Sequence, residues 1–241
     1  MNIISMSVLP SRIEQTEQCI KSILAQNKKP DKIYVCIPKN PRRDKVKNYK
    51  LPYWFKHPSI EVVKTDVDYG PATKLLPVLR KYWEEKDTRI VTVDDDVYYP
   101  PNWFNTLIEY SDNNPDVVVC YRGRNFVNKT DPKYNQTFLF TSNKINHPRS
   151  VDVVTGTWGV LYKPSFFTED VFGLDLSSKA FFVDDIWFTG NLWKNGVKRL
   201  IIPLKQEIKP LEQHNTLALW NINQRGENND WTIGLFKQYL K

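Results

Sequence analysis

Three consecutive carboxylates follow an apolar run near the middle of the chain. Residues 91–93 are typical of the end of a β-strand, and Asp94, Asp95 and Asp96 come directly after them. Open α/β sheets place their ligands at the C-terminal ends of strands. Adjacent carboxylates repel one another, and a hard cation such as Mg²⁺ or Mn²⁺ binds one or two of them beside water and phosphate oxygens. If the strand geometry continues through these residues, alternation puts Asp94 and Asp96 on one side and Asp95 on the other. The alternative is a turn that caps the helix after Pro101.

A second acidic pair, Asp184 and Asp185, lies between apolar flanks at 181–183 and 186–187. Burial raises the pKa of a carboxylate, and a raised pKa suits a general base. The alternative is helix capping, because Asp is favoured at a helix N-terminus.

Small residues form a third candidate, Thr155-Gly156-Thr157-Trp158-Gly159. Gly156 would let a substrate approach the backbone, and Trp158 offers an apolar face to a sugar ring. An ordinary hairpin turn explains the same residues.

The segment from Asp68 to Lys74 combines a Gly-Pro turn with a lysine at a predicted helix start, where phosphate can bind. Its spacing differs from that of a Walker loop. Late in the chain, His214 is a candidate metal ligand, with a lone surface histidine as the alternative.

Alternating strand and helix patterns in the first half must position these residues. Strands are predicted at Ile3–Leu9, Ile33–Ile37, Ile60–Lys64, Arg89–Val93 and Val117–Tyr121. Helices are predicted after a Ser11/Glu14 capping box, at Pro71 and at Pro101. This alternation predicts a mostly parallel sheet covered on both faces.

The second half is less regular. Residues 122–150 are polar, with aromatics spaced as in short antiparallel strands or a long loop. Strands at 151–154, 158–162 and 197–202, a helix at 184–194 ended by Gly196, and a closing helix at 231–240 are predicted. We expect one domain over residues 1–241, with a nucleotide-binding half at 1–121 and an acceptor-shaping half at 122–241.

Composition narrows the functional classes. Lys and Arg number 34 against 27 Asp and Glu, and this net charge of +7 favours an anionic partner. The chain has no recognised nucleic-acid-binding motif and no run of 18 apolar residues. Three separated cysteines fit a reduced compartment. We therefore expect a cytoplasmic protein without a transmembrane segment, in peripheral contact with a membrane if its acceptor is lipid-linked.

The order of these motifs resembles that of GT-A fold glycosyltransferases, nearest to the family-2-like group with its viral and bacterial relatives. The resemblance runs from about residue 3 to residue 220. It implies an α/β, Rossmann-like, mostly parallel sheet flanked by helices, with a smaller irregular or antiparallel C-terminal part. It also implies a nucleotide-sugar donor, a glycan or a lipid-linked or protein-linked sugar as acceptor, Mn²⁺ or Mg²⁺, and no nucleic-acid partner.

The same resemblance assigns roles to individual residues. Asp94 to Asp96 matches the DxD motif, and the metal is assigned to Asp96, Asp94 and His214. Asp184 and Asp185 look like the xED motif, whose last carboxylate, here Asp185, is the base in inverting members. The resemblance places the donor against the following residues: Pro10, Arg12, Asp68, Tyr69, Lys74, Asp94, Asp95, Gly156 and Trp158.

The function expected on this basis is metal-dependent transfer of a sugar from a nucleoside diphosphate sugar, with UDP as the expected nucleotide, to a hydroxyl group with inversion at the anomeric carbon. Arg225 is a further candidate cation for the diphosphate, and Tyr98 and Tyr99 are candidate walls of the sugar pocket. Three alternatives stay open: a retaining glycosyltransferase, a metal-dependent nucleotidyltransferase or nuclease, and a non-catalytic nucleotide-sugar-binding module.

Overall fold

The computed structural model describes residues 1–211, 219–223 and 226–240. The β-strands in this part of the chain are β1 (Asn2–Ser7), β2 (Lys32–Pro38), β3 (Ile60–Thr65), β4 (Arg89–Val93), β5 (Val97–Tyr98), β6 (Val117–Cys120), β7 (Arg122–Phe126), β8 (Thr137–Thr141), β9 (Arg149–Ser150), β10 (Val153–Val154), β11 (Val160–Tyr162), β12 (Lys198–Ile201) and β13 (Lys209–Pro210). The α-helices are α1 (Glu17–Leu24), α2 (Leu76–Lys81), α3 (Trp103–Asn113), α4 (Asp184–Lys194), α5 (Leu219–Asn223) and α6 (Glu227–Phe236).

The central sheet has eight strands in the order β3-β2-β1-β4-β11-β6-β12-β9. Its first four strands pair in parallel, as do β6 and β12, whereas β11 and β9 run antiparallel to their neighbours. The prediction of an α/β fold with a mostly parallel central sheet is confirmed.

Alternation along each inner strand explains why helices cover both faces. In β1, the side chain of Ile3 packs into one hydrophobic core and that of Ile4 into the other. Helices α1 and α3 contribute to the core with Ile4, and helices α2, α4 and α6 contribute to the core with Ile3. Because both faces are buried, the inner strands β2 and β4 are mostly apolar rather than alternating, as expected for a parallel sheet.

Two small antiparallel sheets complete the fold. Strands β10, β7 and β8 form one of them, and β13 pairs with β5 to form the other. The expected short antiparallel strands within residues 122–150 are therefore present. Strands β10 and β11 belong to different sheets, so residues 155–159 are not the turn of a hairpin.

The helix ends were predicted with mixed success. Helix α4 spans the predicted residues, and Gly196 follows it with a φ of +68°. The capping box is wrong: residues 10–16 form a 3₁₀ helix, and Ser11 donates its hydroxyl to Asp44 instead of capping a helix. A second 3₁₀ helix, Gly70–Lys74, precedes α2.

Within the described residues, no helix combines the length and the apolar character needed to cross a membrane. All three cysteines are free thiols in the protein interior.

Candidate active site

A cleft of about 830 Å³ opens where β1 and β4 end. Its walls come from the loop after β1, the acidic segment after β4, the start of α4 and the strand β7. The carboxylates and cations that line it are Arg12, Arg43, Asp68, Lys74, Asp94, Asp95, Asp96, Arg122, Arg124, Asp184 and Asp185. The two acidic motifs, about ninety positions apart in the sequence, thus face the same space.

The segment Asp94–Asp96 forms a turn between β4 and β5. One guanidinium nitrogen of Arg12, Nη2, lies 2.7 Å from Asp95 Oδ1 and 2.8 Å from Asp96 Oδ2. The predicted alternation is therefore wrong, because the strand ends at Val93 and Asp95 and Asp96 share one cation. None of the three carboxylates caps α3 in the described chain, since the residue before that helix is Asn102 and it makes no side-chain cap.

Lys74 joins the two acidic motifs. Its Nζ lies 2.8 Å from Asp94 Oδ1 and 3.3 Å from Asp184 Oδ2. Burial alone would lower the pKa of this ammonium group, but the charges of Asp184 and Asp94 outweigh burial and raise the pKa well above its ordinary value. The backbone of Lys74 is held as well, because the hydroxyl of Ser5 in β1 donates to its carbonyl at 2.6 Å. Lys74 is thus a fixed internal cation rather than a mobile one.

Asp185 is held differently from its neighbour. Its Oδ1 accepts a hydrogen bond of 2.7 Å from the backbone N–H of Gly156. Burial, followed by the charge of Asp184, raises the pKa of Asp185 to about 7. Within the described residues, Asp185 forms no ion pair, so its second oxygen is available to a substrate in the cleft.

Gly156 is required by this close approach. A Cβ at this position would lie 2.9 Å from Asp185 Oδ1 and 3.3 Å from Lys74 Nζ. The same turn carries Trp158, which lines the cleft with a φ of +82°, a conformation that is strained for a bulky residue. The carbonyl of Trp158 accepts a 2.7 Å hydrogen bond from the indole of Trp103, which fixes the turn against α3.

The loop after β2 supplies residues that the sequence did not single out. Asp44 accepts hydrogen bonds from the backbone and hydroxyl of Ser11 at 2.9 and 2.7 Å, and so ties this loop to the first one. The adjacent Arg43 lines the cleft. Burial and then the charge of Arg12 lower the pKa of Arg43, because the two guanidinium groups lie near each other in the cleft.

The opposite wall contains Arg122, Arg124 and Tyr134, which sequence reasoning also missed. The only available signal was a pair of arginines two positions apart, which in a strand lie on the same face.

Several predicted residues lie outside the cleft or outside the described chain. Pro10 is buried, and its neighbours Leu9 and Arg12 line the cleft. Tyr69 lines a separate cavity of about 260 Å³ beside Arg80. Tyr99 is a core residue, so it cannot be a wall of the sugar pocket, and Tyr98 is 40% exposed. The candidates His214 and Arg225 fall outside the described residues. Asp68 and Trp158 line the cleft, and Gly156 contacts Asp185 within it.

The cleft contains carboxylate oxygens of the kind that bind a divalent cation. In the part of the chain that the structure describes, no three His, Cys, Asp or Glu side chains gather as a metal-binding group. Asp94 and Asp96 nevertheless supply hard carboxylate oxygens beside an open cleft, and Mg²⁺ commonly takes one or two carboxylates together with water and substrate phosphates. Burial and then the nearby charge of Asp94 raise the pKa of Asp96. A bound cation would relieve the repulsion between these two carboxylates. These residues therefore fit a metal ion whose remaining ligands are water and substrate phosphate oxygens.

Comparison with known proteins identifies the family of this chain. The sequence model of Glycosyl transferase family 2 matches residues 11–168, about two thirds of the chain. No curated protein matches the chain. The chain belongs to glycosyl transferase family 2, and its GT-A fold and general activity, glycosyl transfer, follow from this membership. The matched stretch ends before Asp184, so Asp185 is assigned to the site by geometry alone.

Proposed function

We propose that this glycosyltransferase moves a sugar from a uridine diphosphate sugar to a hydroxyl group of a glycan or related acceptor, with inversion at the anomeric carbon. The observation that carries the proposal is Asp185, a cleft-lining carboxylate fixed by Gly156 with a pKa of about 7.

Asp185 acts as the general base. The acceptor oxygen attacks the anomeric carbon from the face opposite the diphosphate and transfers its proton to Asp185. The bond between the anomeric carbon and the phosphate oxygen breaks, and its electron pair leaves with the nucleoside diphosphate. A base works best when its pKa lies near the operating pH, which is the case for a group that titrates near 7.

Arg12 and Arg43 supply the positive charge on the donor side. Both line the cleft beside the acidic segment, and fixed cations stabilise negative charge that develops on a departing group. Lys74 pairs with both Asp94 and Asp184 and so holds the two acidic motifs beside each other. Asp68 and Trp158 complete the donor-side wall as lining residues.

Asp94 and Asp96 would hold Mn²⁺ or Mg²⁺, with His214 as a further candidate ligand. When bound, the metal supplies Lewis-acid neutralisation of the diphosphate. In this proposal, residues 1–121 mainly bind the donor and residues 122–241 mainly bind the acceptor, within one catalytic domain.

The test is a thermal-shift panel of nucleotide sugars, measured with and without Mn²⁺. A ligand at about 100 times its Kd stabilises the folded protein by about 2.7 kcal/mol, so one donor should raise the Tm clearly and only with the metal. Asp96→Asn should remove the metal-dependent part, whereas Asp66→Asn, at an exposed ion pair far in sequence from the motif, should keep it.

Two results would contradict the proposal. If no nucleotide sugar shifts the Tm with or without Mn²⁺, the assignment of the donor class fails. If NMR shows that the product keeps the anomeric configuration of the donor, inversion and the role of Asp185 as base both fail.

A further inference from the structure

Two arginines on β7, Arg122 and Arg124, form a basic corner of the cleft, here called the Arg122–Arg124 pair. They lie two positions apart in one strand and so share a face of the small sheet. The proposed function gives them no role, because the diphosphate is served by Arg12 and Arg43.

Backbone hydrogen bonds place this pair beside the proposed base. The N–H of Thr155 donates to the carbonyl of Arg122 at 3.1 Å, and the next residue, Gly156, donates to Asp185 at 2.7 Å. The backbone of Arg122 is therefore bonded to the residue that precedes the Asp185 contact, and the charge of Asp185 acts on the Arg122 guanidinium.

The described residues leave the charge of the pair without a carboxylate in ion-pair contact. Within the described residues, Arg122 and Arg124 form no ion pair, whereas Arg12 and Lys74 each contact two carboxylates. Burial and then the charge of Arg124 lower the pKa of Arg122, because two partly buried cations repel each other. An anion between them would relieve this repulsion.

Unused hydrogen-bonding groups cluster at the same corner. Six buried side-chain polar atoms of the described residues lack a hydrogen-bond partner, and Arg124 Nε, Thr141 Oγ1 and Thr155 Oγ1 are three of them. Thr141 is the cross-strand partner of Arg122, and Thr155 is bonded to its carbonyl. Buried polar groups in folded proteins are almost always paired, so these three atoms give the corner hydrogen-bonding capacity that the described residues do not use.

The corner is also partly preorganised. Arg124 donates to Thr137 Oγ1 at 2.9 Å and stacks over the ring of Tyr134 at 4.8 Å. A guanidinium held in this way loses little freedom when it binds an oxyanion, and arginine matches phosphate and carboxylate through paired N–H donors.

We propose that the Arg122–Arg124 pair is an anion subsite for the acceptor, which carries a phosphate or carboxylate group close to its reacting hydroxyl. This inference rests on the proposed function for the direction of the reaction. It names the chemical class of the acceptor, an acidic sugar or a phosphorylated alcohol.

The test uses inorganic phosphate as the probe. The protein is first saturated with the nucleoside diphosphate that stabilises it most, so that the donor side is filled, and phosphate is then titrated by calorimetry. Arg122→Gln should weaken phosphate binding about tenfold or more, the loss expected for a charge-assisted hydrogen bond, and change nucleotide affinity less than threefold. Arg43→Gln should do the reverse.

Two further variants control for charge and folding. Arg149→Gln removes an exposed arginine that does not line the cleft, so both affinities should stay at the wild-type level. Arg122→Lys keeps the charge and should recover part of the phosphate affinity, which separates loss of charge from loss of structure.

A second experiment distinguishes a phosphate from a carboxylate group on the acceptor. It compares three compounds that share the same pyranose ring: glucose 6-phosphate, glucuronate and methyl glucoside. At least one of the two acidic sugars should compete with phosphate on the saturated protein, whereas the neutral glucoside should not.

The inference is overturned if phosphate does not bind the saturated wild-type protein, or if Arg122→Gln weakens the nucleotide as much as the phosphate. Competition by methyl glucoside as strong as that by the acidic sugars would also overturn it. If no nucleoside diphosphate binds at all, the proposed function fails instead, and phosphate binding that depends on Arg122 in the nucleotide-free protein still decides the subsite.

Discussion

The acidic segment after β4 and the acidic pair at the start of α4 face the same cleft but are held in different ways. Asp94 pairs with Lys74 at 2.8 Å, and Asp95 and Asp96 share Arg12 at 2.7 and 2.8 Å. Asp185 accepts a single backbone N–H and, in the described chain, forms no ion pair.

This difference separates a binding role from a proton-transfer role. Burial raises the pKa of both Asp95 and Asp185 to about 7, although Arg12 opposes the rise at Asp95. The carboxylate of Asp95 is engaged by Arg12, so it is not free to accept a proton from a substrate. Among the described residues, only Asp185 combines a pKa of about 7 with a carboxylate oxygen that is open to the cleft.

Replacement of the proposed base should give the largest effect. Asp185→Asn should lower the rate of transfer by about 10²–10⁴-fold, the usual contribution of general base catalysis, and leave donor affinity nearly intact. Single-turnover kinetics and donor titration measure the two quantities. Asp66→Asn, on the exposed ion pair with Lys39, is the matched control and should keep the wild-type rate. Turnover of Asp185→Asn at the wild-type rate would show that Asp185 only positions the substrate.

Removal of the shared cation should mainly affect stability. Lys74→Met leaves the buried Asp184 and the partly buried Asp94 without their partner, and breaking a buried pair costs about 3–5 kcal/mol of unfolding free energy. Lys39→Met removes one exposed partner of Asp66 and should cost about 0–1 kcal/mol. Urea denaturation measures both values. Equal losses in the two variants would mean that Lys74 does not hold the acidic motifs together.

Crowding the contact between Gly156 and Asp185 should have the smallest effect. Gly156→Ala places a Cβ 2.9 Å from Asp185 Oδ1, so the carboxylate must shift and the transfer rate should fall about tenfold, with little change in Tm. Gly234→Ala is the control: nothing lies within 4 Å of its added Cβ, and alanine is favoured in a helix by about 1 kcal/mol. An unchanged transfer rate in Gly156→Ala would show that the position of Asp185 is not critical.

Strands and their parallel arrangement could be predicted from the sequence because apolar periodicity reports burial directly. Thus β4 has the predicted bounds, as does α4 with its following Gly196. The local capping prediction at Ser11 failed because a distant residue, Asp44, competes for the same hydroxyl.

The composition of the site was only partly predictable for the same physical reason. The acidic motifs stand out because carboxylates are rare beside apolar runs, but their cations are set by tertiary contacts. Lys74 was expected to bind phosphate, and its ion pairs with Asp94 and Asp184 could not be predicted from the local sequence. Arg43 carries no local pattern, and the only signal for Arg122 is the arginine two positions later, because surface arginines look the same in sequence as arginines that line a cleft.

The most direct test of the account is the pH dependence of kcat/KM. A base must be ionised to accept a proton, so kcat/KM should rise with pH through an apparent pKa near 7 and reach a plateau above it. Asp95→Asn should keep this limb, which assigns it to Asp185 rather than to the other carboxylate that titrates near 7. A profile that stays flat from pH 5.5 to 8.5, or a limb that disappears in Asp95→Asn, would contradict the assignment of Asp185 as the catalytic base.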